Sequence, residues 1–136
     1  MKTIRVVAAV ICRVENGNLE ILATQRGYGD YKDSWEFPGG KIEPGESPEA
    51  ALIREIQEEL RLKVAIDDFL QTVEYDYPKF HLLMDCYLCH IEEGELVLTE
   101  HEAAKWLDPD HLGNLDWLPS DLEVIDNLKC RTWIKK

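Results

Sequence analysis

One helix set in the middle of a strand-rich chain is the feature that most limits what this sequence can become. Ser47-Pro48 opens it, since serine suits the N-cap and proline at the first helical position gives up no N–H that the helix needs. Apolar spacing carries the helix to about Leu60,. On either side the pattern is extended. Residues 5–14 and 19–25 read as strands joined by Glu15-Asn16-Gly17-Asn18, where Asn-Gly is a strong hairpin signal. A loop rich in Gly and Tyr leads into Trp35-Glu36-Phe37, a short extended piece, and Pro38-Gly39-Gly40 then breaks the chain,. Residues 69–77, 80–91 and 103–107 are further strand candidates. After Pro119, Leu122, Ile125 and Leu128 at spacings of three predict a second helix,. About five or six strands with a central and a C-terminal helix make a mixed α/β (α+β) domain.

At 136 residues, with no repeat, linker or low-complexity stretch, residues 1–136 read as one domain,. Fifteen Lys and Arg against 27 Asp and Glu leave a net charge of −12, yet 45% of the residues are hydrophobic. That is enough for a proper core, so the chain is not a disordered acidic tail. So negative a chain is poorly suited to grip nucleic acid or an anionic membrane through basic patches. If it acts on a phosphate compound, positive charge must come from elsewhere, and a bound divalent cation is the obvious source. The apolar run from Val6 to Cys12 is too short to cross a bilayer and reads as a buried strand,. Cys86 and Cys89 lie three apart on a strand candidate, hence on opposite faces,. They cannot easily share a metal and are expected in the core. With Cys12 and Cys130 they point to a reduced, cytoplasmic protein,.

On a helical wheel Ile53, Ile56 and Leu60 fall within about 60° of one another, with Leu52 at the margin, and form the expected buried face,. Glu55, Glu58 and Glu59 occupy a different face, spaced i, i+3, i+4, and such like charges repel by a few tenths of a kcal/mol per pair. The only base close by is Arg54, which neutralises at most one of them. Two readings stand: a solvated acidic face, or a face that holds a hard divalent cation through oxygen. Upstream, Gly39-Gly40 lets backbone approach an ion or phosphate closely,. Glu46, just before the helix, is near enough to turn back to Arg54 and pin the loop,.

The stretch Gly40, five residues, Glu46, seven residues, Arg54-Glu55-Ile56-Gln57-Glu58-Glu59-Leu60-Arg61-Leu62 resembles the Nudix box of nucleoside-diphosphate-linked hydrolases. It occupies residues 40–62 and departs from the family pattern at Arg61, where the family usually has glycine. A left-handed residue ends the helix there, so arginine costs about 1–2 kcal/mol or the helix ends differently. Trp35-Glu36-Phe37-Pro38-Gly39-Gly40-Lys41-Ile42-Glu43 extends the likeness toward the MutT-like subgroup, which includes bacterial CTP pyrophosphohydrolases.

The resemblance implies a Nudix-type mixed sheet between helices, and a metal-dependent hydrolase converting a nucleoside triphosphate and water to the monophosphate and pyrophosphate. It implies Mg²⁺, or Mn²⁺ in its place, held by Glu55, Glu58, Glu59 and the Gly39 carbonyl, with Glu100 as a further ligand from a later loop. Arg54 and Glu46 would orient this set. Either Glu55 or Glu100 would act as general base. Arg26 matches an arginine that meets the phosphate or sugar end of the substrate. Phe37, Tyr77 and Trp117 are candidates for stacking on the base, although each is also a natural core residue,. Asp121 matches the residue that reads the base edge. Ionised, it would accept from an exocyclic amino group, as in CTP or 5-methyl-dCTP; protonated, it would suit 8-oxo-dGTP. The implied role is sanitising of the nucleotide pool, without direct nucleic-acid or membrane binding, as a monomer or homodimer. Other nucleoside diphosphate derivatives, such as ADP-ribose or a dinucleoside polyphosphate, are the alternative substrates, and a non-catalytic nucleotide-binding module is the remaining reading.

Overall fold

A computed structural model describes residues 1–131. Its centre is β1 (Thr3–Glu15), whose middle is a continuous apolar run buried on both faces. Val7, Ala9 and Ile11 face one side, and Ala8 and Val10 the other. β1 turns into β2 (Asn18–Arg26) through Asn16 and Gly17 at φ of 53° and 80°. These left-handed residues make the primed two-residue turn expected of Asn-Gly. β3 (Trp35–Glu36) pairs with the end of β2, and β4 (Gly39–Lys41) pairs antiparallel with the first half of β1. Next comes helix α1 (Pro48–Leu60), then the long hairpin β5 (Lys63–Tyr77) and β6 (Phe80–Glu93). β7 (His101–Leu107) returns to the free edge of β2. Short 3₁₀ turns lead into α2 (Leu122–Cys130).

The seven-stranded sheet runs β3-β2-β1-β6-β5, with β4 added at β1 and β7 at β2. β1 and β6 are parallel and the remaining pairs antiparallel, so the sheet is mixed. α1 covers one face through Ala51, Leu52, Ile56 and Leu60, and α2 covers the other through Val124, Ile125 and Leu128. This is the expected single α+β domain with its sheet between helices. β1 pairs with β2 only from Cys12 to Glu15 and with β4 only from Val6 to Ala8. Changing partners along one edge, β1 leaves room for a cavity beside its first half.

Three readings need correction. Gly39-Gly40 is a strand as well as a break, because its backbone pairs with Val7 and Ala8. β5 begins at Lys63, six residues before the expected strand, and its register shifts at three places blur the alternation. Ile53 is 40% exposed and Leu52 fully buried, so the helix rests on a face rotated from the expected one. Cys86 and Cys89 are buried on opposite sides of the sheet as expected. No helix among the described residues is long and apolar enough to cross a membrane.

Candidate active site

Helix α1 presents its acidic face because both ends are tied down. Ser47 accepts from the Ala50 N–H at 3.1 Å and caps the start. At the other end Arg61 takes the left-handed conformation (φ 58°), so arginine does here what glycine does more cheaply,. Val97 and Thr99 donate backbone N–H groups to the carbonyls of Leu60 and Glu59, satisfying the helix end and placing Glu100 beside it,.

Arg54 organises the first half of the site. Its guanidinium grips Glu46 with two bonds, Nε to Oε2 at 2.6 Å and Nη2 to Oε1 at 2.9 Å, and Nη2 also donates to the Lys41 carbonyl at 3.1 Å. Loop and helix are thereby locked, as the sequence suggested. The Arg54 bonds, helped by the Glu43 N–H, lower the Glu46 carboxyl to about 2. Arg54 does more than was expected of it, reaching Glu55 at 2.9 Å and Glu58 at 3.3 Å as well.

Gly40 lies so close to Glu55 that any Cβ would overlap its carboxylate, and a Cβ on Gly39 would overlap the Val7 carbonyl. Gly39 therefore demands glycine, because backbone blocks it, whereas at Gly40 the obstacle is the flexible end of the Glu55 side chain,. Glu59 is the most confined carboxylate of the three. Burial, then the charges of Glu55, Glu100 and Glu36, push it up to about 8, and its Oε2 is buried without a hydrogen-bond partner. Burial also raises Glu55, against the pull of Arg54. Glu58 is 60% exposed, bonded to Arg54, and outside the cavity.

The ligand set implied by the sequence is thus only partly gathered. Among the described residues no three Asp, Glu, His or Cys side chains already form a metal-holding cluster, because Arg54 draws Glu55 and Glu58 toward itself. The chemistry nevertheless fits a hard divalent cation. The donors are all oxygen, burial and crowding raise the Glu55 and Glu59 carboxyls, and one buried oxygen is unpartnered,.

Gly39, Glu55, Glu59 and Glu100 line a cavity of about 650 Å³ together with Arg26, Phe37, Tyr77 and Asp121. β1 and β6 supply an apolar part of the lining, including Val6, Leu82 and Met84. Asp121 is 2% exposed. Its Oδ2 accepts from the Phe37 N–H at 3.0 Å, and Ser120 Oγ donates to Oδ1 at 3.4 Å. Burial, with the Glu36 charge, raises its carboxyl to about 7 against these bonds and Arg26. It makes no helix-capping bond. Tyr77 donates to Ser120 Oγ at 2.8 Å, fixing the neighbouring wall.

Trp117 is the correction among the aromatic candidates. It does not line the cavity; its Nε1 donates to the Leu112 carbonyl at 2.6 Å, and its ring packs behind Phe37 at 4.7 Å. Its place is in the core supporting Phe37. Sequence reasoning missed Glu36, His101, Tyr28 and Ser120, all of which line the cavity. Glu36 lies in the expected extended piece, but His101 precedes the strand expected at 103–107, and the two meet only through non-local pairing of β3 and β7 with β2.

A family model described as NUDIX domain matches residues 4–128. An 8-oxo-dGTP diphosphatase of Escherichia coli (strain K12) is 34% identical over 95% of this chain and 98% of its own length. A CTP pyrophosphohydrolase of the same organism is 31% identical over 93% of this chain and 91% of its own. The solution structure of the E. coli ORF135 protein superposes with a TM-score of 0.77 at 31% identity, covering 93% of this chain and 89% of that one.

Proposed function

This chain belongs to the NUDIX domain family, and from that premise we propose that it is a divalent-cation-dependent nucleoside triphosphate pyrophosphohydrolase. The reaction is nucleoside triphosphate plus water to nucleoside monophosphate plus pyrophosphate. The observation that carries this reading is the cavity itself: a crowded carboxylate with one oxygen unpartnered, Glu59, and an apolar wall ending in the buried Asp121 share one space. Relatives named for 8-oxo-dGTP and for CTP, each matched over more than nine-tenths of both chains, support the substrate class.

Glu55, Glu58, Glu59, Glu100 and the Gly39 carbonyl are the residues we assign to Mg²⁺ or Mn²⁺. A cation held there would offset phosphate charge and lower the pKa of water enough to supply a hydroxide nucleophile at neutral pH. The chain's own residues do the rest. Glu46 and Arg54 hold the loop against the helix so that Gly39 and Gly40 stay beside Glu55 and Glu59. Glu55 or Glu100 accepts the proton lost by water. Arg26 meets the anionic end of the substrate, and Phe37 and Tyr77 flank the base. Asp121 reads the base edge. With its carboxyl near 7, it accepts from a cytosine amino group when ionised and donates to an oxidised guanine when protonated. CTP, its 5-methyl deoxy form and 8-oxo-dGTP are therefore the leading substrates.

The test is a screen of canonical, methylated and oxidised triphosphates, ribo and deoxy, with Mg²⁺ or Mn²⁺, identifying both products. Release of monophosphate and pyrophosphate from one of them is expected. The folded Glu58→Gln variant should lose several orders of magnitude in turnover. Inorganic phosphate as the only phosphorus product, or near-normal activity in that variant, contradicts the assignment.

A further inference from the structure

Three strands meet at the wall of the cavity, and each contributes one polar side chain to a network that the sequence did not announce. Glu36 on β3 stands opposite Thr24 on β2, two residues before Arg26. On the other edge of β2 the pairing with β7 slips: Gln25 faces Ala103, yet Arg26 faces His101. An unslipped ladder would have set Glu102 there. The bulge brings an imidazole, in place of another carboxylate, against Arg26 and Glu36, and bulges of this kind commonly re-aim a side chain beside a site. Gly27 permits it, because a Cβ there would lie 2.7 Å from the Glu100 carbonyl.

Glu36 bridges the other two. His101 Nε2 lies 3.1 Å from Glu36 Oε2, and Arg26 Nε lies 3.4 Å from Glu36 Oε1. The ring of Tyr28 holds the Arg26 guanidinium from another side, 5.7 Å from its centroid. The Glu36–His101 pair is enclosed, with the side chains 16% and 5% exposed, while that of Arg26 is 30% exposed. The network is also incompletely bonded. Arg26 Nε and His101 Nδ1 are both buried with no hydrogen-bond partner, and buried polar groups of that kind are costly unless a ligand or water completes them. Because the Glu36 carboxylate accepts, His101 donates from Nε2.

We propose that Glu36 and His101 are positioning residues that fix the Arg26 guanidinium at the cavity wall to receive the anionic end of the substrate. Fixing a guanidinium in advance removes rotamer entropy that binding would otherwise lose. The inference rests on the hydrolase reading for its substrate and on the Arg26–Glu36–His101 geometry for everything else.

A thermodynamic cycle tests it. Arg26→Ala, Glu36→Gln, their double variant, His101→Leu and His101→Gln are compared in kcat and KM for the best triphosphate of the screen. The affinity of each for the corresponding monophosphate is measured by calorimetry, and its folding by thermal melting. Glu36→Gln and His101→Leu should each weaken KM and monophosphate affinity roughly tenfold while kcat changes less than about threefold. In the Arg26→Ala background Glu36→Gln should cost less than about twofold more, since coupled residues are non-additive. His101→Gln, whose amide N–H can stand in for Nε2, should recover most of the His101→Leu loss. Multiplying losses, an unchanged KM in Glu36→Gln, or a His101→Gln variant as poor as His101→Leu overturns the proposal. If Glu36→Gln does not fold, the two His101 variants in the Arg26→Ala background run the same cycle. A wild-type protein that binds monophosphate but turns over no triphosphate defeats the hydrolase reading and leaves the cycle on affinities readable.

Discussion

Asp121 illustrates how burying a single carboxyl makes stability depend on pH. Its carboxyl is raised to about 7 from an ordinary value of 3.8, burial being the main cause and Glu36 the next, with the Phe37 N–H, Ser120 and Arg26 opposing. Between those two values the folded protein keeps a proton that the unfolded chain releases, so folding stability falls as pH rises from about 4 to about 7 and then levels. In Asp121→Asn that contribution is absent, while the amide oxygen can still accept from Phe37. Urea unfolding of both proteins at several pH values should show the variant gaining on the wild type across this window by up to a few kcal/mol. Parallel curves for the two proteins would mean that Asp121 is ionised in the folded state throughout. Glu59, raised for the same reason, tilts both curves alike and drops out of the difference. The place of Asp121 after Pro119-Ser120 was visible in the sequence, but its burial was not, because Phe37 and the wall around it arrive from 84 residues away.

At the scale of the element, α1 shows which signals are local and which are not. Its start was legible in Ser47-Pro48, its end in the apolar spacing up to Leu60, and the Glu46–Arg54 clamp in their distance along the chain. Which stripe is buried was misjudged at Ile53, since that depends on how the helix sits on β1. β4 was hidden for a related reason: two glycines carry no alternation of side chains, and only pairing with β1 makes them a strand,. The helix end makes two measurable claims. Arg61 sits in the left-handed region at φ 58°, costing about 1–2 kcal/mol, part of which glycine returns by loosening the unfolded chain. Arg61→Gly should therefore stabilise by about 0.5–1 kcal/mol and raise the melting temperature by a few degrees; an unchanged or lower value would show the arginine to be compensated. Just across from it, Thr99 Oγ1 donates to the Glu59 carbonyl at 2.9 Å and the Glu58 carbonyl at 3.3 Å. Thr99→Val keeps the shape and removes that hydroxyl, with an expected loss of about 0.5–1 kcal/mol in denaturant unfolding. No loss would mean that water caps those carbonyls equally well.

For the molecule as a whole, the charge of −12 and the cavity make one electrostatic problem. A triphosphate must enter a space where Glu55, Glu59 and Glu100 already repel one another. Arg26 is partly neutralised by Glu36, and Arg54 is committed to the loop and helix. Like-charged surfaces weaken encounter, and a cation placed between them reverses the sign of the local field. A ligand that binds only the folded state raises its stability by mass action, so thermal melting reads this coupling without any turnover. Pyrophosphate or a slowly hydrolysed nucleotide alone should shift the melting temperature little, and Mg²⁺ alone modestly. Together they should shift it by clearly more than the sum, because each lowers the electrostatic cost of the other. A nucleotide that stabilises fully in the presence of a chelator would show that arginine alone carries the phosphate. In that case the crowded carboxylates of α1 would be a solvated acidic face after all, which is the reading that spacing on the helix could not by itself exclude.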